Sequence, residues 1–250
     1  MFADTALAQR IEQSEALNAA ACGESLAVAG GYATFAGVGS PLTHAVGVGL
    51  SGPVGETEFD AMEDFFRSRG ANVNLDFCPL ADPSLAALLG KRGYRIAECS
   101  NVLVGAVAGS PDARIRMARP DQRELWSRVM LEGFFPEHGL TPLMLDVGLR
   151  LLRAEGTTAW FGVVDGQAAA AGAVNFRNKL ALLFADSTLP KFRGHGLHLA
   201  MIRARLAHAA SAGCELATAS AVPGSISQRN YERAGFRVVY TKLNMQRDWL

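Results

Sequence analysis

The sequence predicts an α+β fold of two lobes, and three observations carry the prediction. Segments of helical periodicity alternate with short apolar runs along all 250 residues. The stretch GAVAGSPDA, Gly105 to Ala113, is small and turn-rich, and the pattern restarts after it. The two halves also share punctuation. Gly70 and Gly93 frame a strand and a helix 23 positions apart, and Gly213 and Gly235 frame another such pair 22 positions apart. Near-equal spacing of matched stops indicates two copies of one unit, with a boundary near residues 110 and 111.

Element by element, Thr5 to Ala20 reads as a helix, with Leu7, Ile11 and Leu17 at helical spacing. Three β-like runs between glycines follow to Leu50. ETEFDAMEDFFRSRG is an amphipathic helix that stops at Gly70, and NVNLDFCP is a strand. DPSLAALLGKRG is a helix with Asp82 as its cap, Pro83 in the first position and Gly93 at the stop. YRIAECSNVLVGAV closes the first half as a long strand. The second half begins with the strand RIRMARP and a helix from Asp121. After the loop FPEHG comes a helix capped by Thr141 with Pro142 at its start. TTAWFGVVDGQAAAAGAVNF reads as a hairpin. The strand ALLFADSTL leads into PKFRGHGLHLAMIRARL, where a helix carries the stripe Leu199, Ile202, Leu206 and Ala209. The strand CELATASAVP and a helix ending in YERAGF complete the pattern.

Composition narrows the function. Basic and acidic residues balance at 24 each, so nothing in the net charge draws the chain to nucleic acid or anionic lipid. Apolar residues make up 49%, enough to fill a core. Cys22, Cys78, Cys99 and Cys214 form no metal-ligand spacing and read as small buried residues in a reducing compartment; no metal is expected. The N-terminal stretch carries acids where a secretory signal would be basic and then apolar, and Ser25 to Gly55, though uncharged, is broken by glycines. A soluble, cytoplasmic protein is the expectation.

The richest signal is the stretch around FRGHGLHL. A helix start leaves backbone N–H groups unpaired and carries partial positive charge. Gly194 and Gly196, just before the helical stripe, let a ligand approach the backbone, and Arg193 and His195 add side-chain charge. Together they suit a phosphate. The Gly-Lys-Ser/Thr of a nucleoside triphosphate loop is absent, and Leu199 stands where a dinucleotide fingerprint needs its third glycine.

STLPKFRGHGLHLAMIRARL resembles the acetyl-CoA motif of the GNAT N-acetyltransferase family, Arg/Gln-x-x-Gly-x-Gly/Ala after a strand. Arg193, Gly196 and His198 occupy its fixed places, with His198 departing from Gly/Ala. YERAGF, Tyr231 to Phe236, resembles the family's Tyr-x-x-x-Gly-Phe signature; the asparagine often found seven residues earlier is Gly224 here. The resemblance spans Arg114 to Leu250 and extends more weakly to the first half, where LLGKRGYRI echoes the second signature. At the place of the phosphate turn, however, that half carries Glu56, Glu58 and Asp60. The resemblance thus implies a tandem form: a degenerate GNAT-like lobe over residues 1–110 and an acetyl-CoA-binding domain over 111–250. Each lobe would be a mostly antiparallel twisted sheet flanked by helices.

It also implies roles. Acetyl-CoA, the acyl donor, would lie against Thr188, Leu189, Arg193, Gly194, His195, Gly196, Leu197 and His198, with backbone groups around Thr188 and Leu189 offered to its pantetheine arm. Tyr231 would protonate the leaving thiolate. Asp186 is the first candidate for the base that deprotonates the amine, directly or through water. Phe134, Glu137 and His138 lie in the loop that in this fold covers the acceptor. A small-molecule amine is favoured over a protein acceptor, and neither nucleic acid nor membrane is expected as a partner. A non-catalytic acyl-CoA-binding module and a transferase for a longer acyl-CoA are the alternatives.

Overall fold

The structure, a computed structural model, describes residues 4–249. It divides into two compact units, one of residues 4–102 and 239–249, the other of residues 103–238.

The first unit opens with α1 (Thr5–Ala20), capped by the Asp4 carboxylate, which accepts from the Leu7 N–H at 2.8 Å. Its strands β1 (Glu24–Val28), β2 (Gly31–Phe35) and β3 (His44–Val46) pair antiparallel in turn. Helix α2 (Glu56–Arg67) crosses to β4 (Val73–Phe77), which lies parallel to β3. Helix α3 (Pro83–Lys91) starts where Asp82 accepts from the Ser84 N–H, and β5 (Arg95–Ala106) follows. Phe59, Met62 and Phe66 of α2 interleave with Leu75 and Leu85 to form the core. Burial of such side chains contributes about 1.5–3 kcal/mol each.

The second unit repeats this order of pairings. After β6 (Ile115–Met117), α4 (Arg123–Phe134) and α5 (Pro142–Arg150), the strands β7 (Thr157–Val164), β8 (Gln167–Arg177) and β9 (Leu180–Thr188) pair antiparallel. Asp165 and Gly166 make the β7–β8 turn, both with positive φ. Helix α6 (Leu197–Ser211) crosses to β10 (Leu216–Ala221), parallel to β9, and α7 (Ile226–Arg233) leads to β11 (Arg237–Arg247). One face of the sheet packs on Leu197, Met201, Ile202 and Leu206 of α6. The other packs on Trp126, Val129 and Met130 of α4.

One element departs from the boundary expected at residue 110. β11 pairs antiparallel with β4, Leu243 opposite Phe77, so residues 239–249 group with the first unit. The end of β5, in turn, groups with the second, where the Leu103 carbonyl accepts from Thr218 Oγ1 at 3.1 Å. Each half ends in a strand, but strand periodicity carries no information about which neighbour completes the ladder.

Candidate active site

The site in the second unit is built by a fault in one strand. Between β8 and β9 the register slips: Ala173 faces Phe184 but Ala171 faces Ser187, so Gly172 stands against two residues. The extra residue sits at Ala185, whose φ of 57° is left-handed. A bulge reverses the alternation beyond it, and Asp186 therefore points toward α6 rather than α4. Gly172 leaves the room this needs. A Cβ there would lie 2.6 Å from Asp186 Oδ1. Its carbonyl is held from the other side by Trp126 Nε1 at 3.0 Å.

The Asp186 side chain is only 7% exposed and is surrounded by donors. Arg205, fully buried on α6, donates from Nη2 to Oδ1 and from Nη1 to the Ala173 carbonyl at 2.6 Å. The Tyr231 hydroxyl donates to Oδ2. His198 Nε2 lies 3.4 Å from the same Oδ2, outside hydrogen-bonding geometry. Burial alone would raise the Asp186 pKa, but Arg205, with His198 and Tyr231, outweighs it and holds the carboxyl below the ordinary aspartate value. Burial and the adjacent carboxylate push the Tyr231 phenol well above its ordinary value.

Beside this network lies the turn. A 3-10 turn at Pro190–Phe192 leads to Gly194 (φ 84°) and Gly196 (φ 72°), the latter capping α6. A Cβ added at either would meet nothing within 4 Å, so the space before both is open. The first backbone N–H of the helix with an acceptor in it is that of Ala200, which bonds the Gly196 carbonyl at 3.1 Å. The N–H groups of Leu197, His198 and Leu199 precede it and face the helix entrance. Arg114 braces the turn by donating to the His195 carbonyl at 3.0 Å. β9 also separates from its neighbour here. Its pairing with β10 runs only from Leu180 to Leu183, although the strand continues to Thr188.

The structure thus brings Asp186, Tyr231 and His198 into one cluster and sets Gly194, Gly196 and Leu197 at a helix start beside it. Phe134 and Glu137 are exposed at the end of α4, and the adjoining Gly133 carbonyl accepts from Arg193 Nη2 at 2.9 Å. Two of the groups expected to meet the cofactor already have partners within the chain. Arg193 turns its guanidinium onto the Gly133 and Thr188 carbonyls rather than into the turn. Leu189 has no free backbone N–H to offer a ligand, because it bonds the Ala169 carbonyl at 2.9 Å, where β8–β9 pairing extends one residue further. Sequence reasoning missed Arg205 and Asn230. The signal for Arg205 is its place seven residues after His198, a lone cation on the buried face of α6. Nothing in the sequence marks Asn230, whose amide meets His198 Nδ1 at 3.1 Å.

No protein-family model matches the sequence, and no curated protein matches it. Solved structures do. A GCN5-related N-acetyltransferase from Kribbella flavida superposes with a TM-score of 0.71 at 15% identity, over 96% of this chain and 95% of that one. One from Sphaerobacter thermophilus gives a TM-score of 0.57 at 15% identity, covering 76% and 66%. A tandem GNAT protein from the clavulanic acid biosynthesis pathway gives 0.56 at 15%, covering 76% and 68%. The chain has the fold of the GCN5-related N-acetyltransferases. Among the described residues, no helix is long and apolar enough to cross a membrane, and no three His, Cys, Asp or Glu side chains are grouped to hold a metal ion.

Proposed function

We propose that this chain is an acetyl-CoA-dependent N-acetyltransferase with one working site, in the second unit. The observation that carries the reading is the pairing of an open, left-handed glycine turn at the start of α6 with a strand edge freed from β10. A diphosphate needs backbone donors, partial positive charge and space, and Gly194 to Leu199 supply all three. Bound there, acetyl-CoA would supply an electrophilic thioester carbonyl. The chain's part is to hold it beside an amine and to manage protons, and positioning alone can provide much of the acceleration.

Tyr231 is the proton donor in this reading. Its hydroxyl proton passes to the departing sulfur, and the proton shed by the acceptor nitrogen on amide formation restores the hydroxyl, so the exchange balances. Asp186 is better suited to orienting Tyr231 than to abstracting a proton. Its carboxylate is already surrounded by donors, and its lowered pKa makes it a weak base. Phe134 and Glu137 line the approach of the amine.

The first unit has lost such a site. At the start of α2 the Glu58 carboxylate takes the Gly55 N–H at 3.2 Å, and Glu56 and Asp60 pair with Lys91 and Arg92 at 2.6 Å each. An anion would meet carboxylates there.

A binding-only reading draws support from the enclosure of Tyr231, which is 2% exposed. Incubation with acetyl-CoA and pooled small amines, read by free-thiol release and a one-acetyl mass gain on an amine, separates the two. Acetyl-CoA bound with no amine acetylated would favour the binding module, and no binding would sink both.

A further inference from the structure

Tyr231 poses a problem for the proposed reaction: its hydroxyl is committed to a buried carboxylate. Turning it toward a leaving sulfur would strip Asp186 Oδ2 of its donor, and a buried charged group left unsatisfied is costly. The structure holds a candidate replacement. His198 Nε2 lies 3.4 Å from that same oxygen, is shielded from solvent and has no hydrogen-bond partner. Buried polar atoms are rarely left unpaired without reason.

The tautomer can be read from the neighbours. Arg233 Nη1 donates to Asn230 Oδ1 at 3.1 Å, which fixes the amide so that its nitrogen faces His198 Nδ1 at 3.1 Å. Nδ1 must therefore accept, and a neutral ring carries its proton on Nε2, toward Asp186. The ring also stands edge-on to Tyr231, with centroids 5.7 Å apart. At rest Tyr231 holds Oδ2 and the imidazole N–H waits.

We infer that His198 is a positioning residue that exchanges places with Tyr231 as donor to Asp186 Oδ2. When the hydroxyl swings to the sulfur, a small rotation of the imidazole closes the remaining gap and keeps the carboxylate satisfied. No covalent bond changes at His198. This explains a side chain where the acetyl-CoA motif has Gly or Ala, and it places the switch on the first turn of α6, beside the backbone groups proposed to hold the diphosphate. The inference rests on the acetyl-transfer reading for its purpose, but not for its geometry.

Histidine-labelled protein, studied by nitrogen-15 NMR, tests the geometry without substrate. The five histidines can be told apart by the signal lost in His198→Gln. In the wild type His198 should be the Nε2–H tautomer. In Tyr231→Phe, which vacates Oδ2, the Nε2 proton should move downfield and exchange more slowly with solvent. An Nδ1–H tautomer, or an unchanged Nε2–H signal in Tyr231→Phe, would overturn the inference. Single-turnover acetyl transfer gives a second test. His198→Ala should slow the wild type about tenfold, the size of a coupling within one hydrogen-bond network, and hardly slow Tyr231→Phe. Equal slowing in both backgrounds would mean a merely structural role. Absence of acetyl-CoA binding in the wild type would refute the functional reading and leave the NMR result to decide the geometry.

Discussion

Tyr231 and Asp186, 45 residues apart in the chain, share a hydrogen bond in the interior of the second unit. The β9 bulge turns the carboxylate inward, and α7 brings the phenol to meet it. The site depends on this contact, because it joins the strand that would carry the thioester to the residue proposed to protonate the leaving group.

Replacing Tyr231 with Phe keeps the ring's packing against Phe236, whose centroid lies 5.0 Å away, and removes only the hydroxyl. Acetyl-CoA affinity by calorimetry should be nearly unchanged. The single-turnover rate should fall about 10²-fold or more, the usual contribution of general acid catalysis. An unchanged rate would reduce Tyr231 to a packing residue and leave water as the proton source.

Arg205→Met should be among the most destabilising single changes in the second unit. It leaves the Asp186 carboxylate buried without its cation, at a cost of about 3–5 kcal/mol. Chemical denaturation of the variant measures this. Adding Asp186→Asn should recover part of the loss, since the uncompensated charge is then gone. A loss below 1 kcal/mol, well short of that cost, would mean that solvent reaches the pair.

Gly172→Ala places a methyl 2.6 Å from Asp186 Oδ1 and 3.1 Å from Arg205 Nη1. Overpacking of this kind costs about 1–3 kcal/mol, so thermal unfolding should shift down and acetyl transfer should slow. Gly90→Ala, in α3 of the first unit with open space in front of the added methyl, is the control and should neither lower the unfolding temperature nor slow acetyl transfer. Equal behaviour of the two would show that the bulge has room to spare.

The first unit holds a separate buried cluster with its own pH signature. Lys242 Nζ lies 3.1 Å from Glu12 Oε1 and also pairs with Glu15, while the Tyr240 hydroxyl donates to Glu12 Oε1 at 2.7 Å. Burial raises the Glu12 pKa from 4.5 to about 7 despite Lys242. The folded state therefore holds this proton more tightly than the unfolded state does. The group's contribution to stability is full below 4.5 and is lost as pH rises through about 7. Unfolding temperatures measured across that window should decline less steeply with pH in Glu12→Gln than in the wild type. Parallel curves would place the titration elsewhere.

Much of this architecture is legible in the chain because local rules decided it. Asp82, Thr141 and the glycines at 70, 93, 194, 196, 213 and 235 mark starts and stops through capping chemistry and left-handed backbone, both properties of a few adjacent residues. The glycine turn was visible for the same reason, and Tyr231 through the resemblance of YERAGF to a family signature. What escaped notice depends on distant neighbours. Leu199 reads as a core position of α6 but is only half-buried, while Leu197 and Met201 take the core. The role of Arg205 appears only once the β9 bulge turns Asp186 toward it. The pairing of β11 with β4 joins residues some 170 positions apart, and alternation within either strand says nothing of it.

The central claim is that one acetyl-CoA binds per chain, at the turn entering α6. Titration calorimetry of acetyl-CoA into the wild type and into Gly196→Val tests it most directly. A valine at a φ of 72° is strained and its side chain enters the open space, which disturbs the donors proposed to hold the diphosphate. The account predicts a stoichiometry of one in the wild type and binding weakened about tenfold or more in the variant, the size of one hydrogen bond to a charged group lost, about 1.5–3 kcal/mol. Two sites per chain, or undiminished affinity in Gly196→Val, would contradict it.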